Sequence, residues 1–264
     1  MQPERTKLVE EIQRLAAGLI AINPAGHKLC LIGGSRYRFL NRSCRTSLDI
    51  DYHWDGDLES KQTEIMDLLR AKLLPEVKRR FGFDGDVQKA TGPDADSPCV
   101  KTVTAAFYRT GEAEERIELP VEITSIPCMD SPVVRTVAGI VYLTASDADM
   151  IESKVLALFN RIFLAERDIV DIFLFQDSFA RDSSQRLKAK FAGLHISPES
   201  VSGRYSRLLA KRAVHVRAVE EIIANQIDAA VAANLKASGG GEMIFDTVVA
   251  MLRDKLRIVG KAGS

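Results

Sequence analysis

The chain has 264 residues, 46% of them hydrophobic, which is enough to bury one large core or two modest ones. Lys and Arg together number 36, as do Asp and Glu, so the formal net charge of +0 excludes a global basic field that would attract nucleic acid. The charged N-terminus has no secretory apolar region, and no segment approaches the roughly 20 apolar residues of a transmembrane helix. We therefore expect a soluble, cytoplasmic protein with no membrane partner.

Cysteine and histidine spacing does not predict a zinc site. The four cysteines have no C-x-x-C spacing and form no compact set with the four histidines. Unpaired thiols are the default in a reducing cytosol. Cys30 lies within an apolar run and is expected to be a small buried core residue.

The first fifth of the chain predicts a helix followed by two strands. Apolar residues recur at helical spacing from Leu8 to Ile22 and predict an amphipathic helix over residues 4–22. The apolar run 29–32 predicts a buried strand. After a basic segment, residues 48–54 predict a second strand.

A glycine pair and a serine interrupt the chain between these strands. Without Cβ atoms, Gly33 and Gly34 can turn sharply and let a ligand approach the backbone. Ser35 is predicted to cap a short helix whose amide N–H groups would face an anion. Such a triplet alone is usually only a turn. Four cations follow where phosphates would sit, namely Arg36, Arg38, Arg42 and Arg45.

Two carboxylates mark the second predicted strand. Asp49 and Asp51 are two residues apart, so they share one strand face while Ile50 takes the other. Adjacent carboxylates repel each other unless a cation lies between them, which favours an Mg²⁺ site. His53 shares the strand face of Asp51, and we favour a structural role for it over a catalytic one.

The middle of the chain predicts a long helix and then a hairpin. Residues 58–80 have helical apolar spacing. The period then changes to two, and residues 100–107 and 116–124 are predicted to pair as a hairpin. The second of these strands places Glu118 and Glu122 on one face and its apolar residues on the other.

From residue 132 onward the chain is predicted to be helical. The predicted helices cover residues 149–164, 166–180, 202–235 and 243–259. The third contains the densest basic stretch outside the Gly-Gly-Ser region. Charge alone leaves open whether it is a solvated helix face or a wall for an RNA backbone.

Two motifs carry a resemblance to a known family. Gly-Gly-Ser at 33–35, followed by RTSLDID at 45–51, resembles the signature of the polymerase-β type nucleotidyltransferase superfamily. KVLALFNR at 154–161, followed by RDIVD at 167–171, is similar to the Lys…Arg-Asp-x-x-Asp pattern of the AbiEii-type nucleotidyltransferase toxins. The resemblance spans most of the first two thirds of the chain.

The resemblance implies an α+β fold. It consists of a polymerase-β-like nucleotidyltransferase domain with a mixed sheet over residues 1–143, followed by an α-helical domain over 144–264 that completes the nucleotide and acceptor cleft. It also implies a nucleoside triphosphate (NTP) as co-substrate and Mg²⁺ as cofactor, with Mn²⁺ as an alternative.

The resemblance also assigns roles to residues. Asp49 and Asp51 would hold the metal, and a third carboxylate from a neighbouring strand would complete the site. We choose Glu122 for this role, with Glu118 as the competitor because it shares the same face. The predicted catalytic and metal-binding residues are thus Asp49, Asp51 and Glu122. The predicted nucleotide-binding residues are Gly33, Gly34, Ser35, Arg45, Lys154, Asp168 and Asp171.

The two helices that carry the second motif admit two interpretations. Lys154 could neutralise triphosphate oxygens while Asp168 or Asp171 orients it. The alternative is a structural ion-pair network that joins two antiparallel helices, and without the resemblance we would favour it.

The implied function is transfer of a nucleoside monophosphate to an acceptor hydroxyl. The family suggests the toxin of a toxin–antitoxin pair in abortive infection, a form of phage defence, with the tRNA 3′ end or another RNA as acceptor and a cognate antitoxin as partner. The alternatives are a nucleotidyltransferase that modifies a small molecule or protein, and a non-catalytic nucleotide-binding relative.

Overall fold

The computed structural model describes residues 3–90, 99–109, 112–161 and 164–258. The chain divides into two compact units, a sheet unit of residues 1–126 and 131–145 and a helical unit of 127–130 and 146–264. The roles assigned to residues 1–143 and 144–264 stay a prediction. Within the described ranges, every helix is too short or too polar to cross a lipid bilayer.

The sheet unit is organised around one mixed sheet. Its described strands are β1 (Cys30–Ile32), β2 (Ile50–His53), β3 (Asp84–Lys89), β4 (Val100–Arg109), β5 (Glu112–Thr124), β6 (Val133–Val137) and β7 (Ile140–Thr144). Their order across the sheet is β3-β4-β5-β2-β1-β7-β6. The β2–β5 and β1–β7 pairs are parallel and the others antiparallel, so the predicted mixed sheet is confirmed.

Helices pack on the sheet and build the second unit. Those of the sheet unit are α1 (Pro3–Ile22), α2 (Gly33–Leu40), α3 (Leu58–Leu68) and α4 (Leu74–Phe81). Those of the helical unit are α5 (Asp147–Asn160), α6 (Glu166–Leu174), α7 (Ser183–Gly193), α8 (Pro198–Ala210), α9 (Arg212–Gln226), α10 (Ala229–Ala237) and α11 (Gly240–Lys255). The α+β class is therefore confirmed.

One face of the sheet forms the core of its unit. Ile50 and Tyr52 of β2 are buried there together with Val121 and Ile123 of β5. Ile12 of α1 belongs to the same cluster. Because strand side chains alternate, the residues between these positions point to the opposite face. The predicted apolar face of the second hairpin strand is confirmed.

The sheet also differs from the prediction. β2 begins at Ile50, so Asp49 precedes the strand. β3 was missed because its sequence, DGDVQK, has a single apolar residue. β6 and β7 lie in the region after residue 132, which was predicted to be helical. That prediction is wrong for these residues, because the β-branched residues of VVRTV and IVYLT favour strands. The two strands form a hairpin whose turn is set by the positive φ of Ala138 (50°) and Gly139 (78°).

Several predicted helices are shorter than expected. The helix predicted over 58–80 is an exception, because residues 58–81 are helical throughout. A π-helical turn, Leu69–Leu73, lies between α3 and α4, and Pro75 supplies no amide N–H near that junction. The predicted helix over 202–235 is three helices. The last helix starts among the glycines that were expected to precede it, because the Glu220 carboxylate accepts a hydrogen bond from the Gly241 amide (2.5 Å) and caps it.

A buried ion network ties α5 to α7 within the helical unit. The Asp149 and Glu152 side chains are 0% exposed, and Lys190 Nζ contacts them at 2.6 and 2.7 Å. Arg186 contacts Glu152 at 2.7 Å and Asp149 at 2.8 Å. It also contacts Asp130 at 2.9 Å, which attaches the short segment 127–130 to this unit. Three carboxylates thus face two cations.

This network predicts a loss of stability in acid. Hydrogen bonds from Arg186 and Ser146 hold the pKa of Asp130 below its ordinary value of 3.8. Burial raises the pKa of Asp149, but hydrogen bonds from Lys190 and from two backbone amides outweigh it and lower that pKa as well. Below 3.8 the unfolded chain binds more protons than the folded one, so stability present above that pH is lost as pH falls.

We expect the urea midpoint, followed by far-UV circular dichroism, to be nearly constant from pH 7 to about 5 and to fall below about pH 4. A midpoint that holds to pH 2.5 would contradict this assignment. The Arg186→Met variant should show a flatter acid dependence, because its Asp130 has lost the partner that lowers the pKa.

Candidate functional site

Two carboxylates lie side by side on the sheet face opposite the core. In the parallel β2–β5 pair, Asp51 is the register partner of Glu122, and Glu122 is the partner of Thr102 on β4. Neighbouring strands are about 4.8 Å apart, so the Asp51 and Glu122 carboxylates are immediate neighbours. Both point to the face of the sheet opposite the one that carries Ile50, which belongs to the core.

The glycine turn packs directly against this pair. Gly33 has a φ of 71°, which favours glycine, and a Cβ there would overlap Asp51 Oδ2. A Cβ at Gly34 would overlap Ser47 Oγ and lie 2.7 Å from Arg45 Nη2. The structure therefore brings five of the predicted site residues together, namely Gly33, Gly34, Arg45, Asp51 and Glu122.

Asp49 is held by residues that sequence reasoning missed. The Ser47 hydroxyl donates a hydrogen bond of 2.7 Å to Asp49 Oδ1. Gln13 Nε2 of α1 in turn donates to the Ser47 carbonyl oxygen at 2.9 Å. Gln13 is only 2% exposed. The sequence does contain a signal for this contact. Gln13 is a polar residue on the apolar face of the first helix, and a buried side-chain amide needs a hydrogen-bond partner.

Ser35 does not cap the helix. α2 begins at Gly33, its N-cap residue is Ile32, and no side chain caps it. Ser35 lies in the first turn, is 0% exposed, and its Oγ has no hydrogen-bond partner among the described residues. The reason is Gly33, whose positive φ lets the helix begin directly after β1. A buried hydroxyl without a partner at a helix N-terminus is a polar group suited to an anion.

The nearby arginines divide into two groups. Arg36 is 0% exposed and donates to Thr144 Oγ1 at 3.0 Å. Arg38 Nε donates to Glu10 at 3.1 Å. Both therefore bind protein groups, which argues against phosphate contacts for them. Arg45 differs because its guanidinium lies beside Gly34, although Nη1 donates to the Thr46 carbonyl oxygen at 2.9 Å.

The register distinguishes the two candidate third carboxylates. Glu118 lies opposite Ala106 on β4, whereas the described register of β5 with β2 begins at Val121. Its side chain is 57% exposed and accepts a contact of 2.9 Å from Arg116. Glu122 is the carboxylate beside Asp51. The catalytic role of Glu122 stays a prediction, but its geometry is the one that role requires.

His53 has structural contacts on both ring nitrogens. Nδ1 accepts a hydrogen bond of 3.1 Å from the Ile126 amide, which leaves the proton on Nε2 in the neutral ring. Nε2 lies 3.2 Å from Asp55. His53 is 4% exposed, so it anchors the end of β2.

The predicted residues of the helical unit bind one another. Lys154 Nζ lies 3.0 Å from Asp168 and 3.1 Å from Asp171. Arg161 contacts the other Asp168 oxygen at 3.0 Å. Two cations thus face two carboxylates across α5 and α6, as the ion-pair interpretation expects. A role for Lys154, Asp168 and Asp171 in nucleotide binding stays a prediction.

The donor set suits a hard cation. Asp51 and Glu122 offer carboxylate oxygens at adjacent register positions, which are the ligands that Mg²⁺ and Mn²⁺ prefer. Among the described residues, no group of three or more His, Cys, Asp or Glu side chains is arranged to hold a metal ion. The arrangement fits a cation that is bound jointly by these carboxylates and by substrate phosphates, rather than one held by protein ligands alone.

Comparisons with known proteins bear on the fold. No protein-family model matches the sequence, and no curated protein matches it. Solved structures do match. A proposed nucleotidyltransferase from H. pylori aligns over 96% of this chain and 97% of its own, with 18% identity and a TM-score of 0.56.

Two further structures agree. JHP933 from Helicobacter pylori covers 97% of this chain and 95% of its own, with 16% identity and a TM-score of 0.54. MenT4, the nucleotidyltransferase toxin Rv2826c from Mycobacterium tuberculosis H37Rv, aligns over 96% of this chain and 86% of its own, with 18% identity and a TM-score of 0.51. The chain shares its fold with these three structures, which agrees with the predicted α+β architecture. At these identities the comparisons show the fold alone and do not identify the AbiEii branch.

Proposed function

We propose that this chain is an Mg²⁺-dependent nucleotidyltransferase that moves a nucleoside monophosphate from an NTP to an acceptor hydroxyl. The observation that carries the proposal is the register pair of Asp51 and Glu122, with Gly33 packed against the Asp51 carboxylate at the start of α2. A carboxylate pair beside a helix N-terminus combines a cation site with an anion site. That combination is what transfer from an NTP requires.

Asp51 and Glu122, which are register partners, would hold the metal. Asp49 precedes β2 and is not grouped with them among the described residues, so its role as a further ligand stays a prediction. When bound, a divalent cation neutralises phosphate charge and eases ionisation of the attacking hydroxyl. The hydrogen bond from Ser47 would fix which Asp49 oxygen faces the site. Glu122 would accept the proton of the acceptor hydroxyl as the acceptor oxygen attacks the α-phosphate. The bond between the α-phosphorus and the bridging oxygen breaks, and pyrophosphate leaves with that electron pair.

The glycine turn would bind the triphosphate. Backbone amides of Gly34 and Ser35 lie in the first turn of α2, where amide N–H groups have no partner within the helix. The Ser35 hydroxyl, which has no hydrogen-bond partner among the described residues, would donate to a phosphate oxygen. Lys154, which Asp168 and Asp171 contact within the helical unit, stays a predicted nucleotide-binding residue, as the family pattern implies.

The proposed acceptor is the 3′ end of tRNA, and the proposed biological role is the toxin of a toxin–antitoxin pair in phage defence, with a cognate antitoxin as partner. Support comes from the resemblance to the AbiEii-type toxins and from MenT4, which is itself named a nucleotidyltransferase toxin.

The test is incubation with total tRNA, Mg²⁺ and each labelled NTP in turn, beside an Asp49→Ala/Asp51→Ala double variant. We expect the parent to label tRNA with at least one NTP and the variant to label none. No transfer with any NTP would remove tRNA as the acceptor and direct the search to small-molecule and protein acceptors.

Replacing Gly33 by Ala should abolish transfer, because the new methyl group would displace the Asp51 carboxylate. The matched control is Gly82→Ala, where φ is also positive (74°) but nothing lies within 4 Å of the added Cβ. Both changes should cost about 1–2 kcal/mol of stability from backbone strain. Only the first should lower the transfer rate, measured on samples whose folding is verified by circular dichroism. Equal activity of the two variants would contradict the packing of Gly33 on Asp51.

A further inference from the structure

A large cleft opens in the helical unit, formed by residues that have no role in the proposed transfer. Its volume is about 750 Å³, and its lining comes from α7, the start of α8 and the end of α11. Small-molecule sites typically enclose about 300–1,000 Å³. The cleft is therefore of ligand size.

Aliphatic side chains form the walls of this cleft. Ile196 follows α7, and its amide donates to the Phe191 carbonyl oxygen at 2.9 Å. Ile258 follows α11 in the same way and donates to Arg253 at 3.1 Å. Each helix end thus closes with a Schellman-type turn that brings an isoleucine to the wall. Val201 of α8 contributes a third aliphatic side chain.

Basic side chains accompany these aliphatic walls. Lys188, Lys255 and Arg257 line the cleft, whereas none of its described lining residues is acidic. Lysines and arginines near helix C-termini are common because of the helix dipole, and that alone would not indicate a ligand. The Lys255 ammonium lies over the Phe179 ring, 5.4 Å from its centroid. Lys188 and Arg257 remain as exposed cations beside an aliphatic cavity of ligand size, and charge complementarity calls for an anionic group on the ligand.

The lining favours an aliphatic ligand over a nucleic acid. Bases bind single-stranded sites chiefly by stacking on aromatic rings. Phe191 is the aromatic residue of the described lining, but it is only 5% exposed and packs edge-on against Phe159 at 5.9 Å between centroids. Its ring is therefore committed to the core.

We propose that this cleft binds a small amphipathic anion, that is, a molecule with an aliphatic body and a terminal carboxylate or phosphate. The body would contact Ile196, Val201 and Ile258, and the anionic group would bind Lys188 and Arg257, both exposed at the rim. None of its described lining residues is among those assigned to nucleotidyl transfer.

The test is isothermal titration of the full chain with decanoate and decyl phosphate, kept below their micelle concentrations. Decanol keeps the aliphatic body and loses the charge, and propionate keeps the charge and loses the body. We expect measurable binding of decanoate and decyl phosphate, and none of decanol or propionate. Tighter binding of decanoate would identify a carboxylate as the preferred anionic group, and tighter binding of decyl phosphate would identify a phosphate. Equal binding of decanol and decanoate would overturn the assigned role of the cations.

The double variant Lys188→Gln/Arg257→Gln should weaken decanoate binding roughly tenfold, since it removes two charge-assisted contacts. Both residues are exposed, so the fold should be retained. Lys236→Gln, an exposed lysine of α10 outside the cleft lining, is the matched control and should bind like the parent. Parent-like binding by the double variant, or displacement of decanoate by a short single-stranded RNA at lower concentration, would overturn the proposal.

Discussion

Replacing Asp51 by Asn is expected to lower nucleotidyl transfer about 10³-fold, the size of effect seen when a charge-stabilising group is lost from an active site. Asn keeps the shape of the side chain and removes its charge. Asp51 is the register partner of Glu122 and lies against Gly33, so the change removes half of the proposed cation site without opening a cavity. Glu122→Gln should have an effect of similar size.

Glu118→Gln is the matched control for both variants. Glu118 lies on the same face of β5 as Glu122, four residues away, but it pairs with Arg116 and is 57% exposed. The transfer rate of the Glu118→Gln variant should stay within about twofold of that of the parent. A Glu118 variant that loses activity while Glu122→Gln retains it would reverse the assignment of the third carboxylate.

Replacing Arg186 by Met is expected to lower the free energy of unfolding of the helical unit by about 3–5 kcal/mol, because breaking a buried ion network leaves uncompensated charges. Asp149 and Glu152 are 0% exposed and would then share Lys190 alone. Asp130 would lose its arginine and keep the hydrogen bond from the Ser146 hydroxyl. Urea unfolding followed by circular dichroism measures the change.

Arg217→Met is the control for this stability measurement. Arg217 is 84% exposed and contacts Glu221 at 3.5 Å on the surface of α9. Exposed ion pairs contribute about 0–1 kcal/mol, so this variant should unfold like the parent. If both variants unfolded alike, the network would contribute little beyond an ordinary surface pair.

The sequence was most informative where a local pattern and a tertiary requirement coincide. The alternation in β5 predicted both its buried face and the position of Glu122, because one face of the strand packs on the core. The Gly-Gly-Ser turn predicted a close approach of a ligand to the backbone, which stays a prediction. The group that approaches Gly33 in the structure is the Asp51 carboxylate, which no local pattern could show.

The sequence was least informative where tertiary contacts override local pattern. Serine is a common helix N-cap residue, but the positive φ of Gly33 lets the helix begin at Gly33, three residues before the start that a Ser35 cap predicts. The network around Arg186 joins residues 34 to 56 positions apart, so chain spacing alone could not pair them. The sequence does indicate two charged helix faces of opposite sign. Asp149 and Glu152 are three residues apart, and Arg186 and Lys190 are four apart, so each pair lies on one face of its helix.

The central claim is that Asp51 and Glu122 bind a divalent cation together with an NTP. The most direct measurement is Mn²⁺ binding by electron paramagnetic resonance in the presence of each non-hydrolysable NTP analogue, because it needs no acceptor. We expect the parent and Glu118→Gln to bind Mn²⁺ with at least one analogue, and Asp51→Asn and Glu122→Gln to bind none. Equal binding by all four proteins, or no binding by the parent with any analogue, would contradict it.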